Sequence, residues 1–272
     1  MMQLTRRDEQ MLDWLSVVRM ADIDAIQWAL AGLRRSPTDS PVTIRRANQW
    51  VARMAEVGFV DRRRPMYRDR QIVWPTHKAT GRSAPTLFRQ TMRHELAVAH
   101  VSARYLARGY SWCRDGRPQT LHDHQADGVA TRGDEIVLVE VELTTKKLSR
   151  YELIHSHHGE RLASGAVSRV VYLCTPEVAA AVAREADKFV FREQRGRIIT
   201  LPVLDGQGRW VGGELDPSEA REQGGSGLLV QDVLAPFQVV SGSDDEVLLQ
   251  LGDNLGNKRF FRDQYEIERN VT

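Results

Sequence analysis

Residues 123–147 read DHQADGVATRGDEIVLVEVELTTKK. Apolar and acidic positions alternate over 135–143, and a strand sends successive side chains to opposite faces. Val139, Val141 and Leu143 fall on one face, with Leu138, Glu140 and Glu142 on the other. Residues 124–130 form a second β-like run, and the turn Thr131-Arg132-Gly133-Asp134 folds the two into a hairpin that brings Asp127 near Glu140. Carboxylates on a mid-domain strand meet a cation or solvent, because an unpaired buried charge is costly. Oxygen ligands on neighbouring strand ends suit a hard divalent cation, Mg2+ with Mn2+ as its substitute. Asp127 and Glu140 are the expected metal ligands, Glu142 a further ligand or base, and Lys146 the cation beside an attacking water. The alternative is an amphipathic edge strand whose acids are solvated beside a Lys pair.

Outward from this hairpin, β-like runs at 110–113, 169–174 and 197–204 alternate with helical patterns at 147–162 and from Pro176. Antiparallel pairing followed by a strand–helix–strand crossover predicts an α/β sheet covered by helices. A long helix is predicted over 86–108, with Leu87, Met92, Leu96, Val98, Val101, Tyr105 and Leu106 as apolar positions and His94, Glu95 and His100 on or beside that face. The i, i+6 spacing of the two histidines does not suit a shared metal. His122/His124 and His155/His157/His158 invite a zinc reading, yet no third and fourth ligands are spaced for a closed site. His124 is read instead as a supporting or phosphate contact.

The first part reads as three helices and a hairpin. Thr5 with Asp8 caps the first helix, whose stripe is Met11, Trp14, Leu15 and Val18. Asp22 caps the second, which Gly32 and a polar run break. Thr43 starts the third, with Ile44, Ala47, Trp50, Val51, Met54 and Val57 inward and Gly58 closing it. Runs at 59–62 and 71–74 flank a basic turn, and 75–85 has linker composition. This order is that of a winged helix-turn-helix, whose third helix enters the major groove. Arg45, Arg46, Asn48, Gln49 and Arg53 are its expected base and phosphate donors, and Arg62, Arg63, Arg64, Arg68 and Arg70 those of the wing. A helical protein-interaction domain with solvated charges is the alternative, but eight Arg against three acids over 45–70 favour DNA.

The net charge of +2 divides into +10 over 1–118 and −8 over the remainder, so a basic head meets a polyanion and an acidic tail does not. No apolar run approaches the ~20 residues of a membrane span, and the start of the chain lacks a signal-peptide core, so a cytoplasmic protein without membrane partners is expected. Cys113 and Cys174 match no zinc spacing and are read as buried thiols. Nucleotide-binding, dehydrogenase, serine-hydrolase and zincin motifs do not occur.

Asp127, followed by Glu140-Val141-Glu142, a helix and a strand, resembles the PD-(D/E)xK nuclease-like core. Residues 5–204 as a whole resemble the replication-relaxation family of plasmids and integrative elements, through His94-Glu95-Leu96-Ala97-Val98-Ala99-His100, His124-Gln125-Ala126-Asp127 and Val139-Glu140-Val141-Glu142-Leu143. The resemblance implies an N-terminal winged helix and places Asp127 and Glu140 in metal-ligand positions. The family's Lys position holds Glu142 here, which implies either a Glu working there or a Lys displaced to Lys146 or Lys147. The expected fold class is α/β with an N-terminal helical domain. It comprises a winged helix at 1–82, a PD-(D/E)xK nuclease-like domain at 86–204 and an irregular, acidic, Gly-rich extension at 205–272. The leading function is a double-stranded-DNA-binding accessory or regulatory factor of a mobile genetic element, with a degenerate or weakly active nuclease-like domain. A Mg2+-dependent endodeoxyribonuclease and a protein–protein adaptor, homodimeric or joined to a basic partner through its acidic tail, are the alternatives.

Overall fold

Thr5 and Asp8 close a capping box: the Asp8 carboxylate accepts from the Thr5 amide at 2.9 Å and the Thr5 hydroxyl accepts from the Asp8 amide at 3.2 Å. Helix α1 (Arg6–Val18) then buries Met11, Trp14, Leu15 and Val18. The short strand β1 (Ala21–Asp22) leads into α2 (Ile23–Gly32), where Asp22 accepts from the Ala25 amide at 3.0 Å. Thr43 caps α3 (Ile44–Glu56), and Gly58 turns the chain at φ 76°, a left-handed conformation that favours glycine. Strands β2 (Val60–Arg63) and β3 (Ile72–Pro75) pair antiparallel, and β1 adds to the other edge of β3, giving the order β1-β3-β2. Ile44 departs from its expected inward position: in the first turn of α3 it is 61% exposed, while Ala47, Trp50, Val51 and Met54 make the core contact.

The computed structural model of the chain describes residues 3–34, 36–65, 70–88, 91–212 and 215. Tyr67 and Arg68 of the basic turn lie outside the described residues. So does nearly all of the acidic, Gly-rich extension.

The 75–85 stretch contains a short helix, α4 (His77–Thr80). The long helix starts later than its apolar pattern predicts, as α5 (Met92–Ala107). Leu87 explains part of this, because it packs with Met20, Ile72 and Trp74 instead of extending the helix. Helix α5 belongs to two cores. Ala99 and Ala103 join the cluster of α1–α3, whereas Ala97, Val101 and Tyr105 join that of the second sheet. A Cβ at Gly32 would lie 2.4 Å from the Leu106 carbonyl carbon, so the glycine that ends α2 also lets α5 approach. The described residues fall in one compact unit, and α5 contributes side chains to both cores.

The second sheet has the order β4-β5-β6-β7-β8. Strands β4 (Ser111–Cys113), β5 (Gly128–Arg132) and β6 (Glu135–Glu142) pair antiparallel in succession. Helix α6 (Leu148–Ala163) crosses to β7 (Arg169–Cys174), parallel to β6. Helices α7 (Pro176–Phe189) and α8 (Arg192–Arg195) lead to β8 (Ile198–Leu201), parallel to β7. Val137, Val139 and Val141 face α5; Leu138, Val170 and Tyr172 pack with Ile154 and Leu162 of α6 and Val178 and Val182 of α7. The chain is thus α/β, with helices on both faces of a mixed sheet.

Strand β5 begins at Gly128, not at His124. The preceding residues are held by side chains, with the Ala126 amide donating to Asp115 at 2.9 Å and the His124 amide to His157 Nδ1 at 3.1 Å. A Cβ at Gly128 would fall 2.0 Å from the Trp112 ring, so the strand entry requires glycine. Cys174 is buried as expected, whereas Cys113 is exposed on the edge strand β4. Among the described residues, no helix is long and apolar enough to cross a membrane.

Candidate functional site

Two regions carry the candidate residues. On α3, Arg45, Arg46, Asn48 and Gln49 are exposed, opposite the buried Ala47, Trp50, Val51 and Met54. Arg62 and Arg63 on β2 and Arg64 just after it are exposed too, and the Arg63 guanidinium lies 5.9 Å from the Phe88 ring centroid. Arg53 does not join this surface. Its Nη1 donates to Asp8 Oδ2 at 2.9 Å, its Nη2 pairs with Oδ1, and Trp50 Nε1 donates to the same carboxylate at 3.0 Å. Burial alone would raise the Asp8 pKa, but the hydrogen bonds from Arg53 and Thr5 hold it well below the usual carboxylate range. Arg70 is likewise drawn inward at its tip, where Nη1 meets Asp22 Oδ2 at 2.9 Å. Arg68 lies outside the described residues.

The second region surrounds the end of β6. Glu140 is 2% exposed, and its Oε1 meets His124 Nε2 at 2.7 Å and His158 Nε2 at 2.9 Å. Burial opposes ionisation of Glu140, yet the two imidazoles bring its pKa below the ordinary value. Burial lowers the pKa of His158, and the Glu140 carboxylate works against that shift. Asp127 does not share this cluster. Its Oδ2 accepts from the Val141 amide at 2.8 Å and lies 3.2 Å from His94 Nε2, which also donates to the Val141 carbonyl at 2.9 Å. Asp127 thereby ties the entry of β5 to the end of β6 and to α5. Glu142 pairs with Lys146, which the chain beyond β6 turns back over the strand end. Burial lowers the Lys146 pKa, while the charges of Glu140 and Asp127 oppose that shift.

His124, Glu140 and His158 form a group that can hold a metal ion, their ligand atoms all lying within 4.8 Å of one another. This set differs from the Asp127–Glu140 pair expected for Mg2+. Two imidazole nitrogens and one carboxylate oxygen suit Zn2+ and related transition metals better than the all-oxygen preference of Mg2+. Each histidine stretch supplies one member of this group, and the acidic strand supplies the third. The sequence signal for this lies in the stripe Tyr151, Ile154, His155, His158 and Leu162, which turns His158 toward the strand face that carries Glu140. His122 stays outside, lining a surface cleft with Asp123, Glu152 and His157. His94 and His100 serve different partners, His100 meeting Asp22 and Asp24 at 3.1 Å each. A smaller cleft of about 190 Å³ beside Asp127 is lined by Arg19, His94, Glu95, Trp112 and Arg114 among others.

Comparisons of the chain with protein-family models, with curated proteins and with solved structures find no match.

Proposed function

We propose that the chain is a DNA-binding accessory or regulatory factor whose first part reads duplex DNA as a winged helix and whose second part is a nuclease-like scaffold. The observation that carries this reading is a set of exposed donors: Arg45, Arg46, Asn48 and Gln49 on α3, with Arg62, Arg63 and Arg64 along the hairpin. Arg and Asn or Gln on one helix are the side chains that pair with guanine and adenine edges in the major groove. The order α1–β1–α2–α3–β2–β3 supports the winged-helix assignment. The succession α5–β4–β5–β6–α6–β7 supports a PD-(D/E)xK-like second part, in keeping with the resemblance to the replication-relaxation family.

The scaffold role rests on how the three carboxylates are used. Glu140 is held by two imidazoles, Asp127 by the Val141 amide and His94, and Glu142 by Lys146. Lys146 turned back over the strand end favours a second reading, a Mg2+- or Mn2+-dependent endonuclease. Anisotropy titration of the full chain with labelled duplex DNA tests the first reading. Affinity that falls steeply with salt is expected, and affinity independent of salt would overturn it.

A further inference from the structure

We propose that His124, Glu140 and His158 bind one divalent transition metal of the zinc type, which clamps the irregular segment 114–127 onto β6 and α6. This goes beyond DNA binding, because none of the three residues lies on the basic surface.

The geometry carries it. Three donors from three separate parts of the chain (a coil, a central strand and a helix) point at one spot, with both imidazole Nε2 atoms on a single carboxylate oxygen. Their separations of 2.7 and 2.9 Å are those of direct hydrogen bonds. Bond lengths near 2.0–2.1 Å in a tetrahedral site separate ligand atoms by roughly 3.3 Å, so the side chains must open by about half an ångström. His158 is wholly buried and its Nδ1 has no hydrogen-bond partner among the described residues, so nothing on its far side dictates which nitrogen carries the proton.

His124 sets the condition for binding. Arg150 Nη2 lies 3.3 Å from His124 Nδ1 and can only donate, so without metal His124 carries its proton on Nε2, toward Glu140. To ligate, Nε2 must give up that proton and Nδ1 must take one, which Arg150 opposes. Arg150 is exposed and can swing into solvent. The clamp has a clear object. Segment 114–127 joins β4 to β5 and is anchored near its ends by Arg114 on the Val17 carbonyl and Asp127 on the Val141 amide, and between them by Asp115, which pairs with Arg161 at 2.7 Å, and by the His124 and Ala126 amides. A metal that binds the folded chain but not the unfolded one stabilises it by mass action.

The test uses the full chain, stripped with chelator and titrated with Zn2+ and, for its spectrum, Co2+. One equivalent is expected to bind and raise the melting temperature, and the Co2+ complex should show d–d bands without a thiolate charge-transfer band. His158→Gln and Glu140→Gln should each weaken uptake ~100-fold or more, ligand loss costing at least as much as loss of an outer partner. His122→Ala should leave uptake unchanged. Arg150→Gln should tighten it several-fold, an effect that a purely hydrogen-bonded His–Glu–His cluster would not produce. No stoichiometric uptake by the wild type overturns the proposal, whatever the variants do. So does a thiolate band, which would move the metal to Cys113 or Cys174, or undiminished uptake by either Gln variant.

Discussion

His100 Nε2, on the helix shared by both cores, lies 3.1 Å from Oδ2 of Asp22, the residue that caps α2. The same Asp22 oxygen accepts from Arg70, which lies just before β3, and His100 Nδ1 reaches Asp24 at 3.1 Å. One buried carboxylate therefore joins the cap of α2, the end of the basic hairpin and the helix beneath the second sheet. The His100–Asp22 link is a charge-assisted bond in a water-poor setting, where losing one partner strands the other, whereas Arg70 reaches Asp22 from a half-exposed position.

This network should make stability fall on the alkaline side. Burial works against charge on His100, but Asp22 and Asp24 outweigh it and raise its pKa. A group whose folded pKa is raised contributes fully below its unfolded value, ~6.5, and loses that contribution as pH rises through the folded value. Urea midpoints should decline from neutral to alkaline pH in the wild type and flatten in His100→Gln. Asp22→Asn, which can still cap α2 but carries no charge to form ion pairs with His100 and Arg70, should cost about 3–5 kcal/mol. An unchanged midpoint in Asp22→Asn would remove the network from the stability of the fold.

Asp8 should act in the opposite pH range. Its pKa is held below the usual range against burial, so its contribution is complete above ~3.9 and is lost as pH falls through the depressed folded value. Asp8→Ala removes the Asp8 half of the capping box and leaves Trp50 Nε1 without its acceptor and Arg53 without its carboxylate, which together should cost about 2–4 kcal/mol. Chemical denaturation at neutral pH measures this. A loss below ~1 kcal/mol would mean that water replaces both partners.

Because Asp8 holds Arg53, the α3 arginines should differ in their effect on DNA. Arg45→Glu and Arg46→Glu should each weaken duplex binding by about 1–3 kcal/mol and lower the salt slope, by about one for each phosphate no longer neutralised. Arg53→Ala should weaken it less, through a looser α3 and not through removal of a DNA-facing donor. Equal losses at Arg53 and Arg45 would mean that Arg53 leaves Asp8 to meet the nucleic acid.

Local chemistry is readable from sequence, and long-range pairing is not. Thr5, Asp22 and Thr43 are identifiable as caps because a cap depends on residues two or three positions away. The alternation over 135–143 places Glu140 and Glu142 on one face for the same reason. Arg53 and Asp8 are 45 positions apart, and nothing in the α3 pattern separates an arginine aimed at solvent from one drawn inward. Hairpin register puts Asp127 beside Glu140, but Asp127 precedes β5 and bends toward α5 to reach His94 and the Val141 amide. The metal-capable cluster is hidden from histidine spacing alone, because its third ligand is the carboxylate of Glu140.

The last test concerns phosphodiester cleavage. Hydrolysis needs a metal-bound water, stabilisation of the charge that develops on the phosphate, and often a cation near the attacking water. Lys146 is close to the acids, but it is paired with Glu142, and Asp127 points to the Val141 amide and His94. Recruiting them for Mg2+ or Mn2+ would break those bonds and leave buried groups unpaired, a cost of about 1–3 kcal/mol for each unsatisfied group and more for a charged one. Supercoiled plasmid incubated with the full chain and Mn2+ should therefore stay intact, while gel shift shows DNA bound. Nicking that appears in the wild type and vanishes in both Glu140→Ala and Lys146→Ala would replace the scaffold with an endonuclease. The acids would then have to release their present partners when DNA and metal arrive together, and Asp127→Asn should suppress cleavage as strongly as Glu140→Ala.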